Sequence, residues 1–535
     1  MVLEETTIWR RRQALQILPS TLHDAFVNMI ARVQGLPSGQ AELAMRVLLL
    51  LHLAFRPLKL DEVRHALAVH PDNTELVNEN IPTLKRILDC SLGLVIVDDK
   101  TSIIRFVHYS LEEHFQKHGD SLFPEKYSRV AEICLGYLNL RQLRSRCETH
   151  QELKQNVCEF KFLEYAACYW GEYVRQQPNK SVTALTLQLL RHHDKGHSCA
   201  IQVLFCSEPT FGSFIPRFNH LHPIPGQVLG VHAAAYFGLA SVLRKQGIFE
   251  YWGNMDWQGR TPLALASQYG HDAAVKVLLK HKDVDVNAPI RNGYSPLSWA
   301  AVNGHDAVVK LLLKHKDIDI NTKGRNYGIS ALTCAAWKGH YAVVKVLLEH
   351  RDIDVNTTHG DCGDVPLHSA ANKGHNAVVQ QLLGHKNINV NAKGRGGQSP
   401  IASAADNGHD TAVKLLLEHK DVDVNAMDSE GRSPLFLAVG KGHHHVVKLL
   451  LEHKDVHVNI PNRFGHSPLA LAAQRGNRTI VQLLLAHKDT DVNAKCNDGL
   501  SPLAYAAMAR QTTIIALLQE HQDIDVTVLA ASRHT

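Results

Sequence analysis

The sequence predicts a mainly α-helical protein, in which a helical N-terminal region is followed by a solenoid of repeated helical units. Three observations lead to this prediction. A motif returns every 34 or 35 residues through the C-terminal half, and each copy carries apolar positions spaced for two short helices. The chain also has 535 residues, too many for one hydrophobic core. Self-similarity at such a period is typical of repeat architectures.

The repeat is clearest from a glycine that ends the first helix of the first seven copies. It stands at Gly270, Gly304, Gly339, Gly374, Gly408, Gly442 and Gly476. A Thr or Ser that can cap the helix comes earlier, as Thr261 does, and a proline usually follows in the first turn, where no N–H is missed. The second helix is apolar along one broad face. The tail after it, Asp-Val-Asp-Val-Asn at 283–287, alternates as a strand does. Each unit is therefore predicted to be helix-turn-helix plus a β-hairpin finger.

The Thr/Ser-Pro-Leu, Ala-Ala-x-x-Gly-His and Leu-Leu patterns resemble the ankyrin repeat. The resemblance covers eight full copies over about residues 256–526, after a degenerate copy that contains residues 231–238. The copy at 361–391 departs from the pattern, because Val365 replaces the capping residue and Gly384 is expected inside its second helix. It also keeps, at His368 alone, the histidine that the family usually has after Pro-Leu. We expect this copy to be the least stable of the array.

The N-terminal region is predicted to contain helices and one hairpin. The helices are expected at 21–33, 41–54, 62–69 and 81–90, the two strands at 94–97 and 102–107, and a further helix, capped by Ser110, at 110–117. Three helices and a hairpin make the shape of a winged helix.

Short motifs in this region resemble the winged-helix segment that follows the nucleotide-binding domain of fungal NACHT–ankyrin proteins. They are Leu-Pro-Ser-Thr-Leu at 18–22, Arg-Pro-Leu at 56–58, Gly-Leu-Val at 93–95, Val-His-Tyr-Ser at 107–110, Cys-Leu-Gly-Tyr-Leu at 134–138 and Phe-Leu-Glu-Tyr-Ala-Ala at 162–167. The sequence has no Gly-x-x-x-x-Gly-Lys-Ser/Thr loop to hold a nucleotide. It begins where a NACHT domain would end, so either the nucleotide switch has been lost or the gene model starts late.

The predicted organisation has four parts. They are an N-terminal segment at 1–17, a winged-helix-like domain at 18–125, a helical linker region at 126–225 and an ankyrin-repeat domain at 226–535.

Composition and charge argue against several functions. The formal charge of +5 is mild for this length, and Lys85 and Arg86 are the basic residues of the helix that would read DNA, so no nucleic-acid partner is expected. No apolar run approaches the roughly 20 residues needed to cross a bilayer. Ten cysteines without a CxxC pair indicate free thiols and a cytoplasmic or nuclear protein that is not secreted.

Catalytic and metal chemistry find no support in the sequence. The pattern Gly-x-Ser-x-Gly is absent, and Ser295, Ser399 and Ser467, which come closest to it, recur at the repeat period as helix caps. The 35 histidines fall mostly on two repeat positions, on adjacent stacked units, so we do not expect them to converge on a metal. The protein is predicted to be non-catalytic and to need no cofactor.

The predicted binding residues lie on the concave face of the array, at the finger tips and at the exposed ends of the first helices. They are the residues there that differ between copies. At the tips they are Trp257, Arg260, Arg291, Tyr294, Arg325, Tyr327, Arg395, Arg432, Arg463 and Phe464, and at the helix ends Trp337, Lys338, Lys373 and Arg475, beside Tyr269, Asn372, Asp406, Asn407 and Gln474. Arg, Trp and Tyr dominate interface hot spots.

This row of arginines with aromatic residues between them predicts a protein partner with an acidic, partly apolar surface. The favoured function is a protein–protein interaction adaptor or scaffold. The alternative is a remnant or truncated NACHT-type fungal recognition receptor that senses non-self ligands and lacks its nucleotide switch. The sequence does not predict the oligomeric state.

Overall fold

A computed structural model describes residues 22–69, 74–194, 199–207, 229–245, 247, 249, 251–289, 293–322, 329–358 and 363–525. The chain divides into two compact units, Met1–Trp257 and Gln258–Thr535, called here the N-terminal unit and the C-terminal unit. The domain boundaries at 17, 125 and 225 stay predictions. Among the helices that the structure describes, none is long and apolar enough to cross a membrane.

The N-terminal unit is built mainly from helices, with a small sheet near its start. The helices span Leu22–Gln34, Ser38–Leu53, Leu60–Leu67, Leu84–Cys90, Tyr109–Leu122, Lys126–Leu138, His150–Glu159, Leu163–Gln176, Lys180–Asp194, Cys199–Ser207, Gly230–Tyr236 and Ala240–Leu243, with 3-10 turns at Asn78–Asn80 and Arg141–Leu143. The strands are β1 (Leu58–Lys59), β2 (Val95–Val97) and β3 (Ile103–Phe106), in the antiparallel order β1-β3-β2. The predicted hairpin is confirmed, with Val95 opposite Phe106.

The helix predicted from Ser110 begins one residue earlier, at Tyr109. The ring Nδ1 of His108 accepts the backbone N–H of Ser110 at 3.1 Å. The prediction that Ser110 caps this helix is therefore wrong, because Ser110 supplies the N–H that is capped.

The core of the N-terminal unit is aromatic. Trp170, Tyr165 and Tyr173 are almost fully buried. The hydroxyl groups of Tyr165 and Tyr173 lie 2.6 Å apart, and that of Tyr173 donates to the carbonyl of Leu53 at 2.8 Å. Because both buried hydroxyls find partners, these rings add apolar burial without leaving a polar group unsatisfied.

The C-terminal unit repeats one pair of helices, helix A and helix B, in copies 1 to 8. The helices A are Pro262–Gln268, Pro296–Val302, Ala331–Lys338, Pro366–Lys373, Pro400–Asp406, Pro434–Lys441, Pro468–Arg475 and Pro502–Met508. The helices B are Asp272–Leu278, Asp306–Leu312, Tyr341–Leu348, Asn376–Leu383, Asp410–Leu417, His444–Leu451, Arg478–Leu485 and Thr512–Gln519. Each helix packs against its counterpart in the next copy, so that copies bury one another's apolar faces.

Hydroxyl groups cap the first helices as predicted. In copy 1 the Thr261 side chain accepts the N–H of Ala264 at 3.2 Å, and serines do the same in the later copies. Copy 3 uses Ser330, although Ala331 stands where the other copies have proline. Copy 4 lacks this bond, because Val365 occupies the cap position. Helix B of copy 4 ends at Leu383 and Gly384 follows it with φ −72°, so the prediction that Gly384 lies inside the helix is wrong.

The prediction that the tail after helix B extends as a strand is also wrong. At 283–287 the chain forms turns, in which the N–H of Asn287 donates to the Asp285 carboxylate at 2.9 Å and that of Val284 to the carbonyl of His281 at 3.3 Å. Local acceptors thus satisfy the donors that a strand would offer to a neighbour. The strands that the structure describes all belong to the N-terminal unit.

Candidate protein-binding surface

Two side-chain ladders hold the copies in register and so position the binding residues. The first uses the asparagine at the end of each tail. Its amide donates to a backbone carbonyl in the next tail at 2.6–2.8 Å, and its side-chain oxygen accepts a backbone N–H there at 2.8–2.9 Å. The residues are Asn287, Asn321, Asn356, Asn391, Asn425, Asn459 and Asn493.

The second ladder uses the histidine before helix B. Its Nε2–H donates to a carbonyl near the end of helix A in the previous copy. Examples are His375 to Trp337 at 3.1 Å and His409 to Asn372 at 3.0 Å. The same arrangement is found for His305, His340 and His443. These bonds fix the helix ends at Trp337 and Asn372, two positions predicted to bind a partner.

Five of the predicted binding residues line one cavity of about 460 Å³ in copies 3 to 6. They are Trp337, Asn372, Lys373, Arg395 and Arg432. The other lining residues are Asp364, His368, Ser369, Gly396, Gln398, Ser429 and Glu430. The wall is mostly polar, so a ligand here would be held mainly by hydrogen bonds and charges. This space is called the groove below.

Trp337 stands at the edge of the groove with two ammonium groups beside it. Its side chain is 42% exposed. The Nζ atoms of Lys338 and Lys373 lie 4.4 Å and 5.9 Å from the centroid of its ring, within the range of a cation–π interaction. An exposed indole with two cations can contact an apolar group and an anionic group of the same partner.

Arg395 and Arg432 differ in how much of their charge is available. The Arg432 guanidinium pairs with Asp428 at 2.7 Å and with Glu430 at 3.2 Å. Burial opposes its charge, but the hydrogen bond and attraction to Asp428 outweigh that effect and raise the pKa of Arg432. The backbone N–H of Arg395 donates to Asp364 at 2.7 Å, and its side chain is exposed. Arg395 can therefore meet a partner, whereas Arg432 mainly shapes its own finger.

His368 and Asp364 also line the groove, although neither is among the binding residues predicted from the sequence. The ring Nδ1 of His368 lies 3.2 Å from an Asp364 carboxylate oxygen. Only 2% of the His368 surface is exposed. The sequence does contain a signal that singles out His368, because copy 4 alone keeps this histidine and has lost the hydroxyl cap.

The other predicted residues that the structure describes are not part of the lining of the groove. Arg260 is buried, with 4% of its surface exposed, so little of it is accessible to a partner. Tyr294 is half-buried against Trp299, with ring centroids 5.0 Å apart, and burial raises the pKa of its hydroxyl to about 12. Trp257 is half-buried in the N-terminal unit.

Arg463 and Phe464 form a separate exposed pair at the finger of copy 7. The guanidinium carbon lies 4.7 Å from the centroid of the ring, and Phe464 is 51% exposed. Arg475 is exposed at the end of helix A in the same copy. Arg291, Arg325 and Tyr327 lie outside the described residues.

Comparison with known families agrees with the repeat architecture. A family model described as "Ankyrin repeats (3 copies)" matches residues 231–324, 284–359, 367–462 and 454–529. A second, described as "Ankyrin repeats (many copies)", matches residues 338–383. Together they cover 231–529, more than half of the chain, and they include the degenerate copy. No curated protein matches the sequence.

Proposed function

The chain belongs to the ankyrin-repeat family, and we propose that it is a non-catalytic adaptor or scaffold that binds a protein partner at its finger tips and helix A ends. Ankyrin repeats indicate a role in protein–protein interaction. One observation carries the choice of surface. Trp337 lines the same groove as Lys373 and Arg432, which lie 36 and 95 positions further along the sequence.

The charges around the groove favour an acidic partner. Lys338, Lys373 and Arg395 form no ion pair within the part of the chain that the structure describes. Their positive charges are therefore available, unlike that of Arg432. Attraction between exposed charges is screened by salt, so we expect affinity for the partner to fall as ionic strength rises.

The experiment that tests this proposal is affinity capture from host lysate, followed by mass spectrometry. The baits are the full chain, a groove variant with Trp337→Ala, Lys373→Ala and Arg395→Ala, and a control variant with Lys345→Ala and Lys414→Ala. Both control lysines are exposed on helices B, away from the groove.

We expect a small set of proteins to be enriched by the full chain and the control variant and lost with the groove variant. A repeat of the capture in high salt should release the same set. If the groove variant captures the same proteins as the full chain, the assigned surface is wrong.

For the N-terminal unit we propose a winged-helix-like domain over residues 18–125, with a linking or regulatory role. The sheet order β1-β3-β2 beside three helices supports this proposal. Such a segment also favours the second candidate function, a remnant or truncated NACHT-type recognition receptor. Sequencing the 5′ end of the native transcript tests this candidate, since an in-frame P-loop upstream would support it and its absence would oppose it.

We also place the protein in the cytoplasm or nucleus. The cysteines of the described ranges are all free thiols, and most of them are buried, which fits a reducing compartment. Fractionation of cells that express the full chain tests this placement.

A further inference from the structure

His368 is a buried polar group without a hydrogen-bond partner among the residues that the structure describes. Both ring nitrogens are inaccessible to solvent. Nδ1 is close to Asp364, at 3.2 Å, but the contact is too bent for a hydrogen bond. Leaving a buried polar group without a hydrogen bond destabilises the fold. A histidine held in this way at the wall of a cavity is suited to a ligand that supplies the missing bond.

The fold itself does not need a histidine at this position. The equivalent residues in the other copies are Ala264, Ser298, Thr333, Ala402, Phe436, Ala470 and Ala504. Small residues, a hydroxyl and an aromatic ring are all accepted there, each within a regular helix A. The presence of His368 therefore calls for an explanation outside the packing of the array.

Gly394 makes room for the His368 ring, which packs against it. A Cβ at Gly394 would lie 2.6 Å from the His368 ring and 2.7 Å from the Asp364 carboxylate. In the next three copies the equivalent residues are Asp428, Asn462 and Cys496. Their side chains make contacts within their own copies, for example Asp428 with Arg432 in the finger and Cys496 with Tyr505 in helix A of copy 8. Only a glycine leaves the imidazole and the carboxylate side by side in this way.

We propose that the groove binds an extended, acidic peptide segment of the partner protein, and that the His368 ring turns on binding so that its Nε2, buried in the free protein, accepts a hydrogen bond from the main chain of the peptide. The Asp364 carboxylate favours the imidazole tautomer with its proton on Nδ1, which leaves Nε2 as an acceptor. Main-chain N–H groups of an extended peptide are donors of the required kind. Asn372 and Gln398 also line the groove. The side-chain oxygen of Asn372, whose amide nitrogen donates to Ser403 at 2.9 Å, and the side-chain amide of Gln398 can pair with further main-chain groups.

The charges give the peptide its sequence preference. Lys373 and Arg395 bind an Asp or Glu side chain of the peptide, and Trp337 contacts an apolar side chain close to that acid. Glu430, held beside Arg432, repels a second acid at the far side of the groove. This inference rests on the proposed function, and it narrows the partner to proteins that expose a flexible acidic segment.

The test uses the full chain and a displayed library of random twelve-residue peptides. We expect the selected peptides to share an Asp or Glu within two residues of an aromatic or aliphatic residue. A synthetic copy of the best peptide should bind about tenfold more weakly after Lys373→Ala, after Arg395→Ala or after His368→Phe, and also when its own acid is changed to the amide. Lys345→Ala should leave the affinity unchanged.

Because His368→Phe can disturb the buried site, the melting curve of this variant is measured alongside. Lys373→Ala changes an exposed side chain, so it tests the proposal even if His368→Phe is destabilised. Selected peptides without an acid, or affinities that none of the three variants changes, overturn the proposal. If the lysate capture succeeds through the same surface while no peptide is selected, the adaptor function stands and the peptide mode is wrong. If both fail, the proposed surface is wrong as well.

Discussion

The imidazole of His375 lies against the backbone of Gly339 in the preceding copy. A Cβ built on Gly339 would be 2.7 Å from the ring Nδ1, closer than real Cβ atoms come. The other ring nitrogen donates to the carbonyl of Trp337 at 3.1 Å. The glycine therefore has two roles, to take the left-handed turn with φ +78° and to admit the ring that links the copies.

Changing Gly339 to alanine should destabilise the protein more than the same change at Gly499. Gly499 has nearly the same backbone angle, φ +77°, and beyond its chain neighbours no atom of the described residues lies within 4 Å of its Cβ position. Gly499→Ala should cost about 1 kcal/mol, for the left-handed conformation alone. Gly339→Ala should cost about 3 kcal/mol, because the His375 ring must also move. Urea unfolding of both variants measures the difference, and equal losses would contradict the dual role.

Asn356 links copies 3 and 4, and its loss should weaken that link. Its side-chain oxygen accepts the N–H of Asn389 at 2.8 Å, and its amide donates to the carbonyl of Asn387 at 2.8 Å. Asn356→Ala removes both bonds and should cost about 1–2 kcal/mol, since water partly replaces them at this exposed site.

Hydrogen exchange reports on this link directly. The amide of Asn389 should exchange faster in Asn356→Ala. In Asn356→Asp it should stay protected, because the acceptor oxygen remains. The exposed Lys345→Ala variant is the control and should match the wild type. An unchanged rate at Asn389 in the alanine variant would show that the ladder does not stabilise the interface.

The repeat could be predicted from the sequence because its signals are local and recur many times. The period, the capping hydroxyls and the turn glycines each specify the backbone over a few residues, and the family comparison bears the repeats out. The tail at 283–287 misled the prediction, because an alternating pattern also fits a turn in which Asp285 accepts the N–H of Asn287. An alternating pattern does not show whether a backbone N–H bonds to a neighbouring strand or to a side chain nearby in sequence.

The surroundings of the candidate binding residues could not be predicted in the same way. Trp337, Lys373 and Arg395 were identified because they differ between copies and stand at tips and helix ends. The burial of Arg260, and the pairing of Arg432 with Asp428, depend on how the loop folds back, which no single position reveals. The position of His368 in the groove could not be predicted either, because its surroundings include Gly394, 26 residues further along the chain.

Copy 4 should be the least protected of the array, and Val365→Thr should correct this. With Gly384 outside helix B, the missing cap at Val365 is the remaining reason for its weakness. Threonine has nearly the shape of valine and adds a hydroxyl that can accept the N–H of His368, as Thr261 does for Ala264. We expect a gain of about 0.5–1 kcal/mol, measured by native-state hydrogen exchange across copy 4. Uniform protection of all eight copies in the wild type would refute the premise.

His52 in the N-terminal unit should make stability depend on pH. Its ring lies near Phe115 and Phe123, and both ring nitrogens are buried without a hydrogen-bond partner in the described ranges. Burial lowers its pKa from 6.5 to about 4, with Lys126 adding to the effect and Asp120 opposing it. The folded protein thus disfavours the charged ring, whereas the unfolded chain accepts the proton near pH 6.5.

The sign of the effect follows from this difference. Between pH 6.5 and pH 4 the unfolded state binds one more proton than the folded state at this residue, so the free energy of unfolding decreases as the pH falls. The loss at His52 should be roughly 1–2 kcal/mol by pH 4, since the ring is partly exposed. His52→Leu should remove this component. The melting temperature of the variant should therefore fall less than that of the wild type from pH 7 to pH 4.5, while the other histidines titrate equally in both proteins. Parallel pH profiles would mean that the His52 ring is protonated as easily in the folded state as in the unfolded one.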